Sequence, residues 1–170
     1  MKWVIIGGGI QGCMMFNHLV REEKATVDEI IVIDPHKYPL ELWEQYTSRI
    51  KMTYLRSPSS HHLDIPIESL ENYAVDHKIY HHIPLFREPY DRPALSLFNS
   101  HALNTIKKNN VMKSWKQGRV TSLKRFGDSW RLLVECPETN EVIYVQNVIL
   151  AFGNSENPKW PTWAVQEKMR

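Results

Sequence analysis

The stretch "KWVIIGGGIQGCMM" at residues 2–15 puts four of the chain's seven glycines between positions 7 and 12, directly behind a short apolar run. Trp3-Val4-Ile5-Ile6 reads as a buried strand: short, β-branched and stopped by glycine. From Ile10 to about Arg21 the pattern predicts a helix. Met14, Met15, Leu19 and Val20 suit its inward face, and Arg21-Glu22-Glu23-Lys24 suits a solvated end. "EIIVIDP" at 29–35 is a second apolar strand, ended by Asp34 and Pro35. A strand, a glycine loop, a helix and a strand in this order form a βαβ unit, which demands a parallel sheet.

Gly7, Gly9 and Gly12 occupy the glycine positions of GxGxxG, with Gly8, Ile10 and Gln11 between them. Each glycine has a physical reason to be there in a dinucleotide site. Gly7 allows the tight turn out of the strand, Gly9 lets a diphosphate approach the backbone, and Gly12 lets helix and strand pack closely. The N–H groups freed at the helix N-terminus, around Ile10 and Gln11, then face the anion, helped by the helix dipole. Asp34 closes the next strand 22 residues after Gly12, where a carboxylate accepts hydrogen bonds from ribose hydroxyls and repels a 2′-phosphate. The bland alternative is a tight strand-to-helix turn without a ligand.

The remaining sequence constrains the class. With 170 residues, 42% hydrophobic and 24% charged, the chain fits one globular domain that buries roughly 70% of its unfolded surface. Twenty-one Lys and Arg against nineteen Asp and Glu leave a net charge of +2, which points to neither nucleic acid nor membrane as partner. No apolar stretch is long enough for a membrane span or a signal segment, and Cys13 and Cys136 form no CxxC pair. A reduced cytoplasmic location is the expectation.

Residues 36–94 hold six of the ten prolines and read as a long irregular insertion with a short helix near Ile67–Tyr73. A helix follows at 92–110, with Leu95, Phe98, Ala102, Leu103 and Ile106 on one stripe. From residue 111 the period becomes two. "VMKSWKQGRVTSLKRF" (111–126), "SWRLLVECP" (129–137) and "EVIYVQ" (141–146) predict a three-stranded antiparallel meander, and "NVILAFGN" (147–154) a return to the parallel sheet.

Together, the glycine motif, the meander and "VILAFGNSENPKWP" (148–161) resemble the two-dinucleotide-binding-domain flavoproteins. The resemblance implies a Rossmann-like α/β fold, a parallel βαβ sheet carrying an antiparallel three-stranded meander, with FAD as cofactor. Ala151 and Gly153 match the small residues of the family's "ATG"-like motif, with Phe152 in place of its Thr. Implied contacts are the diphosphate on Gly7, Gly9, Ile10, Gln11 and Gly12, the ribose on Asp34 and adenine at the backbone of Val120. Ala151 and Gly153 are to pass close to the nucleotide. Phe16 stands where the family has Ala, so the ring must point aside or the helix ride higher.

Within the family the chain looks most like the flavin-dependent monooxygenases, because of "RIKMTYLRSPSSHHLDIP" (49–66). This implies flavin reduction by NAD(P)H, then oxygen chemistry on a small substrate. It would put Lys51 near the flavin and Arg56 towards the substrate, where the plain alternative is two solvated loop charges. His61 or His62 is a candidate proton shuttle. Adjacent residues of an extended chain point to opposite sides, so His61-His62 and His81-His82 are read as loop residues and no metal is expected. Cys13, near a helix N-terminus that lowers thiol pKa values, lacks a partner thiol and reads as structural.

Family members continue with a second glycine-rich unit for NADPH and a C-terminal segment, and no second GxGxxG occurs in these 170 residues. The expectation is one FAD-binding domain over 1–170 without the second nucleotide-binding domain, completed by a C-terminal half or by association with a second copy. The competing classes are a non-catalytic or partner-dependent nucleotide-binding module and an NAD-dependent dehydrogenase.

Overall fold

The computed structural model describes residues 1–77 and 83–153. Strands β1 (Trp3–Ile6) and β2 (Ile30–Asp34) flank helix α1 (Ile10–Arg21). Helices α2 (Glu41–Arg49) and α3 (Ser69–Asp76) follow, then the two-residue strands β3 (Phe86–Arg87) and β4 (Arg92–Pro93) and helix α4 (Leu95–Lys108). Strands β5 (Trp115–Gln117), β6 (Arg119–Phe126), β7 (Ser129–Glu135), β8 (Glu141–Val145) and β9 (Asn147–Leu150) complete the described chain.

β1 lies at the centre of a parallel sheet ordered β5-β2-β1-β9, and β6-β7-β8 form a separate antiparallel meander. Side-chain alternation along β1 and β2 divides the core between two faces. Ile5, Ile30 and Val32 join Phe16 and Leu19 of α1 and Phe98, Ala102 and Ile106 of α4 in one cluster. Val4 and Ile33 point the other way, onto Leu132, Val134 and Val145 of the meander. The molecule is therefore three layers deep: helices, parallel sheet and meander.

The register aligns the ends of the central strands, Ile6 opposite Ile33 on one side and Leu150 on the other. The glycine loop, Asp34 and residues 151–153 consequently emerge side by side at the carboxyl edge of the sheet. Doubly wound folds place their ligands there.

Four expectations need correction. The run 111–126 is not one meander strand: β5 pairs in parallel with β2, while β6 pairs with β7. The chain changes sheets at buried Gly118, whose N–H still donates to the Asp34 carbonyl, and a Cβ there would lie 2.7 Å from Val134 Cγ1. The insertion contains the unexpected helix α2, whose single buried residue, Thr47, leaves no apolar period to read. On α1, Leu19 is buried and Met15 and Val20 pack against the core as expected, but Met14 is exposed and the inward face also includes Cys13, Phe16 and Asn17; the Phe16 ring is itself a core residue. On α4, Leu103 is exposed and the buried face instead includes Leu97, His101 and Thr105. Buried side-chain hydrogen bonds explain the polar members: Asn17 donates to the Leu63 carbonyl and accepts from Asn109, and Thr105 donates to the His101 carbonyl.

Candidate nucleotide-binding site

Two adjoining cavities, of about 390 and 360 Å³, open along the carboxyl edge of the parallel sheet. Both are lined by Gly7, Asp34, His36, Leu42, Phe152 and Gly153, so they are two lobes of one groove. The first runs beneath β6 along Arg119, Val120, Thr121, Ser122 and Leu123. The second follows the glycine loop through Gly9, Ile10 and Gln11 to an aromatic wall of Tyr38, Trp43 and Tyr46. Such an elongated groove suits a ligand with two ends.

The loop's glycines meet different surroundings. Gly7 turns at φ +106°, and a Cβ on it would lie 2.5 Å from the Ala151 carbonyl oxygen. At Gly12 a Cβ would overlap the Gly7 carbonyl oxygen, so α1 sits directly on the loop. Gly9 faces open space: among the described residues, none beyond its chain neighbours comes within 4 Å of its Cβ position. The first bond of the helix runs from the Cys13 N–H to the Gly9 carbonyl. The N–H groups of Gly9, Ile10 and Gln11 have no acceptor among the described residues, and no acidic side chain occupies the first helical turn. Free donors beside an unfilled Cβ position fit the diphosphate of a dinucleotide.

Asp34 is buried between the lobes, and both its oxygens already accept hydrogen bonds. Oδ2 takes the Gly8 N–H at 2.6 Å, and Oδ1 takes the His36 N–H at 2.9 Å. His36 Nδ1 lies 2.6 Å from Oδ1, and because an ionised carboxylate only accepts, that nitrogen carries the proton. Of the four lone-pair positions on the carboxylate, three are engaged. From the sequence, His36 stands beside Asp34 as a cation that softens the exclusion of a 2′-phosphate, but its hydrogen bonds to that carboxylate were missed, as was the place of Trp115 at the loop. Trp115 reaches in from β5, its ring filling the place of a Gly8 Cβ and its Nε1–H donating to the His36 carbonyl at 3.3 Å. Its sequence signal was hidden in a run assigned wholly to the meander.

At the first lobe, the β6–β7 ladder pairs Val120 with Val134 and then Ser122 with Leu133, so Thr121 bulges out of register. A bulge frees backbone groups from the ladder, and here it does so on the lobe wall beside Val120. Ala151 donates its N–H to Ile6 O at 2.8 Å, and Gly153 turns at φ +62°. Both line the second lobe with exposed Phe152.

The remaining candidates lie apart from the groove. Lys51 ends the turn after α2 at φ +51° and is exposed, as are Arg56 and His61, and none of them lines either lobe. His62 is buried with both nitrogens engaged, Nε2 with the Ile67 carbonyl and Nδ1 with the Asp64 N–H. His81, His82 and residues 154–161 of the "ATG"-like stretch lie outside the described residues. Among the described residues no group of three His, Cys, Asp or Glu side chains is arranged to hold a metal. The thiol of Cys13 departs from expectation. Burial, aided by the Asp34 carboxylate, pushes it up to about 12, and Sγ donates to Gly8 O. Desolvation therefore outweighs the helix terminus.

This arrangement defines a dinucleotide-binding domain. The family model described as FAD-NAD(P)-binding matches residues 4–155, and the chain belongs to that family. Curated proteins yield no match. Among solved structures, bacillithiol disulfide reductase Bdr from Bacillus cereus superposes with a TM-score of 0.64 at 15% identity, over 95% of this chain and 42% of that one. The ornithine N-hydroxylase of Kutzneria sp. 744 gives a TM-score of 0.64 at 15% identity, over 89% and 37%. A flavin monooxygenase from Stenotrophomonas maltophilia gives 0.58 at 18% identity, over 94% and 40%. The shared feature is the fold, and the chain spans 37–42% of the length of these three structures. No helix among the described residues is long and apolar enough to cross a membrane.

Proposed function

We propose that the chain is the FAD-binding domain of a flavoprotein oxidoreductase of the monooxygenase type. The observation that carries this reading is the two-lobed groove, with Asp34 at its waist and, among the described residues, unpartnered N–H donors at Gly9, Ile10 and Gln11 along the second lobe. The donors and the helix dipole hold the diphosphate, Asp34 holds the adenosine ribose, and the backbone at Val120, beside the bulge at Thr121, meets adenine. Ala151 and Gly153 form the floor beside the dinucleotide, and Tyr38, Trp43 and Tyr46 wall the opposite lobe. The meander layered on the sheet favours FAD over NAD, because a nicotinamide domain would continue with further βα units.

Bound FAD supplies the electron transfer, with NAD(P)H as reductant and oxygen as acceptor. This chain's residues bind and orient the dinucleotide and shield it on one side. The solved structures carry this fold within longer chains, so we assign the remainder of the active centre to polypeptide outside residues 1–170, a C-terminal half or a second copy. Lys51, Arg56 and His61 lie at the surface, where such a partner would reach them. The small-molecule substrate follows from that other part. The cytoplasm, with its reduced thiols and nicotinamide pool, is the compartment that fits.

The test is purification without added cofactor, followed by reconstitution. The reading predicts visible flavin absorbance that travels with the protein or is restored by FAD. A folded, colourless protein that takes up no FAD would sink it. NADPH oxidation by residues 1–170 alone is expected to be negligible, and rapid turnover would show that the span is a complete enzyme. The 37–42% coverage supports one second reading, a partner-dependent module, and that reading alone predicts FAD uptake only when the complementing polypeptide is present.

A further inference from the structure

Four residues close a circuit of contacts around the waist of the groove. The Gly8 N–H donates to Asp34 Oδ2 at 2.6 Å, while Asp34 Oδ1 accepts from the His36 N–H and from His36 Nδ1. The His36 carbonyl in turn accepts from Trp115 Nε1, and the Trp115 ring lies where a Cβ on Gly8 would stand. The Gly8 carbonyl is engaged as well, by the Leu40 N–H at 3.1 Å and by Cys13 Sγ. The circuit joins the glycine loop, the end of β2 and β5, three segments that also meet through the sheet and through the Gln117 Nε2–H donated to the Pro35 carbonyl at 3.1 Å.

A carboxylate free to rotate presents its oxygens in many orientations, and fixing it before the ligand arrives lowers the ordering cost of binding. With three lone pairs occupied, Asp34 retains one accepting direction in the plane of the carboxylate. We propose that His36 and Trp115 are positioning residues that aim this remaining acceptor at a ribose hydroxyl and hold the Gly8 turn open to the diphosphate. The proposal rests on the nucleotide reading above and adds to it two side chains that act through Asp34 and Gly8. It also gives the aromatic residue on β5 a specific role. Because Trp115 is large, position 8 must be glycine although the motif leaves it unspecified.

Calorimetric titration of the 170-residue chain with ADP and with 2′,3′-dideoxy-ADP separates positioning from general support. The wild type is expected to prefer ADP by roughly tenfold, the effect of hydrogen bonds to a charged acceptor. In His36→Phe the preference falls to within about twofold, because the carboxylate loses its ring donor. In His36→Asn, which keeps a short donor, most of the preference remains. His36→Ala supplies the same deletion should the Phe ring fail to pack. For Trp115, Gly8→Ala abolishes ADP binding, and the double substitution Gly8→Ala with Trp115→Leu restores part of it by removing the overlap.

An ADP preference unchanged in both His36→Phe and His36→Ala, or equal loss of both ligands, overturns the role of His36 while leaving the nucleotide site intact. Failure of Trp115→Leu to rescue Gly8→Ala overturns the role of Trp115. A wild type that binds both ligands equally overturns the ribose role of Asp34 and the proposal with it. A folded wild type that binds neither ligand overturns the reading of the groove itself.

Discussion

Gly9 and Gly12 share a motif but not a surrounding, and substitution separates their roles. An added methyl at Gly9 meets nothing within 4 Å among the described residues beyond its chain neighbours, so Gly9→Ala is expected to leave the melting temperature nearly unchanged. The same methyl narrows the approach to the N–H donors, and FAD affinity should fall at least about tenfold. Gly12→Ala instead forces a Cβ into the Gly7 carbonyl oxygen, a backbone atom that cannot step aside, and should destabilise the fold itself. Thermal melts beside FAD titrations distinguish these outcomes; parallel loss of stability in both variants would contradict the assignment. Cys13 makes a second residue-scale case. With its thiol pushed up to about 12 and its side chain buried, it should resist alkylation at neutral pH until the chain unfolds, leaving half-buried Cys136 to react first. Mass spectrometry of briefly alkylated protein checks this.

At the scale of elements, α1 is held mainly by what its inner face buries. Phe16 is fully buried against Ile5, Val32 and Phe98, and Phe16→Ala should cost about 3–5 kcal/mol in urea unfolding. Helices α3 and α4 pack through Leu70, Ala74 and Leu97, and a polar cluster flanks that contact. Ser69 Oγ bridges Asp64 Oδ2 at 2.8 Å and His101 Nε2 at 3.0 Å, while His62 and Tyr73 pack edge-on against the His101 ring. His101 Nδ1 is buried without a partner among the described residues, and burial holds its imidazole at about 4, below the ordinary 6.5. Between those values the unfolded chain binds more protons than the folded one. Stability contributed by neutral His101 is thus fully present above about pH 6.5 and drains away as pH falls towards 4. Urea midpoints measured across that window should fall with pH in the wild type, and the slope should flatten in His101→Gln.

The elements also show how much was legible beforehand. The strand–glycine–helix–strand order of residues 3–34 could be read because each segment carries its own period and stop, and the structure places β1, α1 and β2 on those residues. Helix α2 was not legible, since it lies on the surface with only Thr47 buried and starts behind Leu40 at φ +66°. The β5–β6 path reads as one extended run because it is one, and its change of sheet at Gly118 depends on Asp34 and Val134, both distant in sequence. For the site, the glycine motif and Asp34 were visible through their spacing. The bonds of His36 to Asp34 and the place of Trp115 were not, because they are contacts that no local pattern encodes.

At the scale of the whole molecule, three layers converge on one edge. The parallel sheet presents Gly7, Asp34 and Ala151 side by side, the helical layer contributes the donors at the start of α1 and the aromatic rings of Trp43 and Tyr46 on α2, and the meander supplies Val120 and Thr121. No single layer makes the groove, so a fold-preserving substitution in any one should weaken the same ligand. The account stands most directly on a titration of FAD into the purified 170-residue protein, followed by quenching of its tryptophan emission. It predicts saturable binding of one FAD per chain, displaced by ADP and abolished by Gly9→Val in a protein that melts like the wild type. Folded protein that shows no saturable FAD binding, or that binds NAD while ignoring FAD, would contradict it.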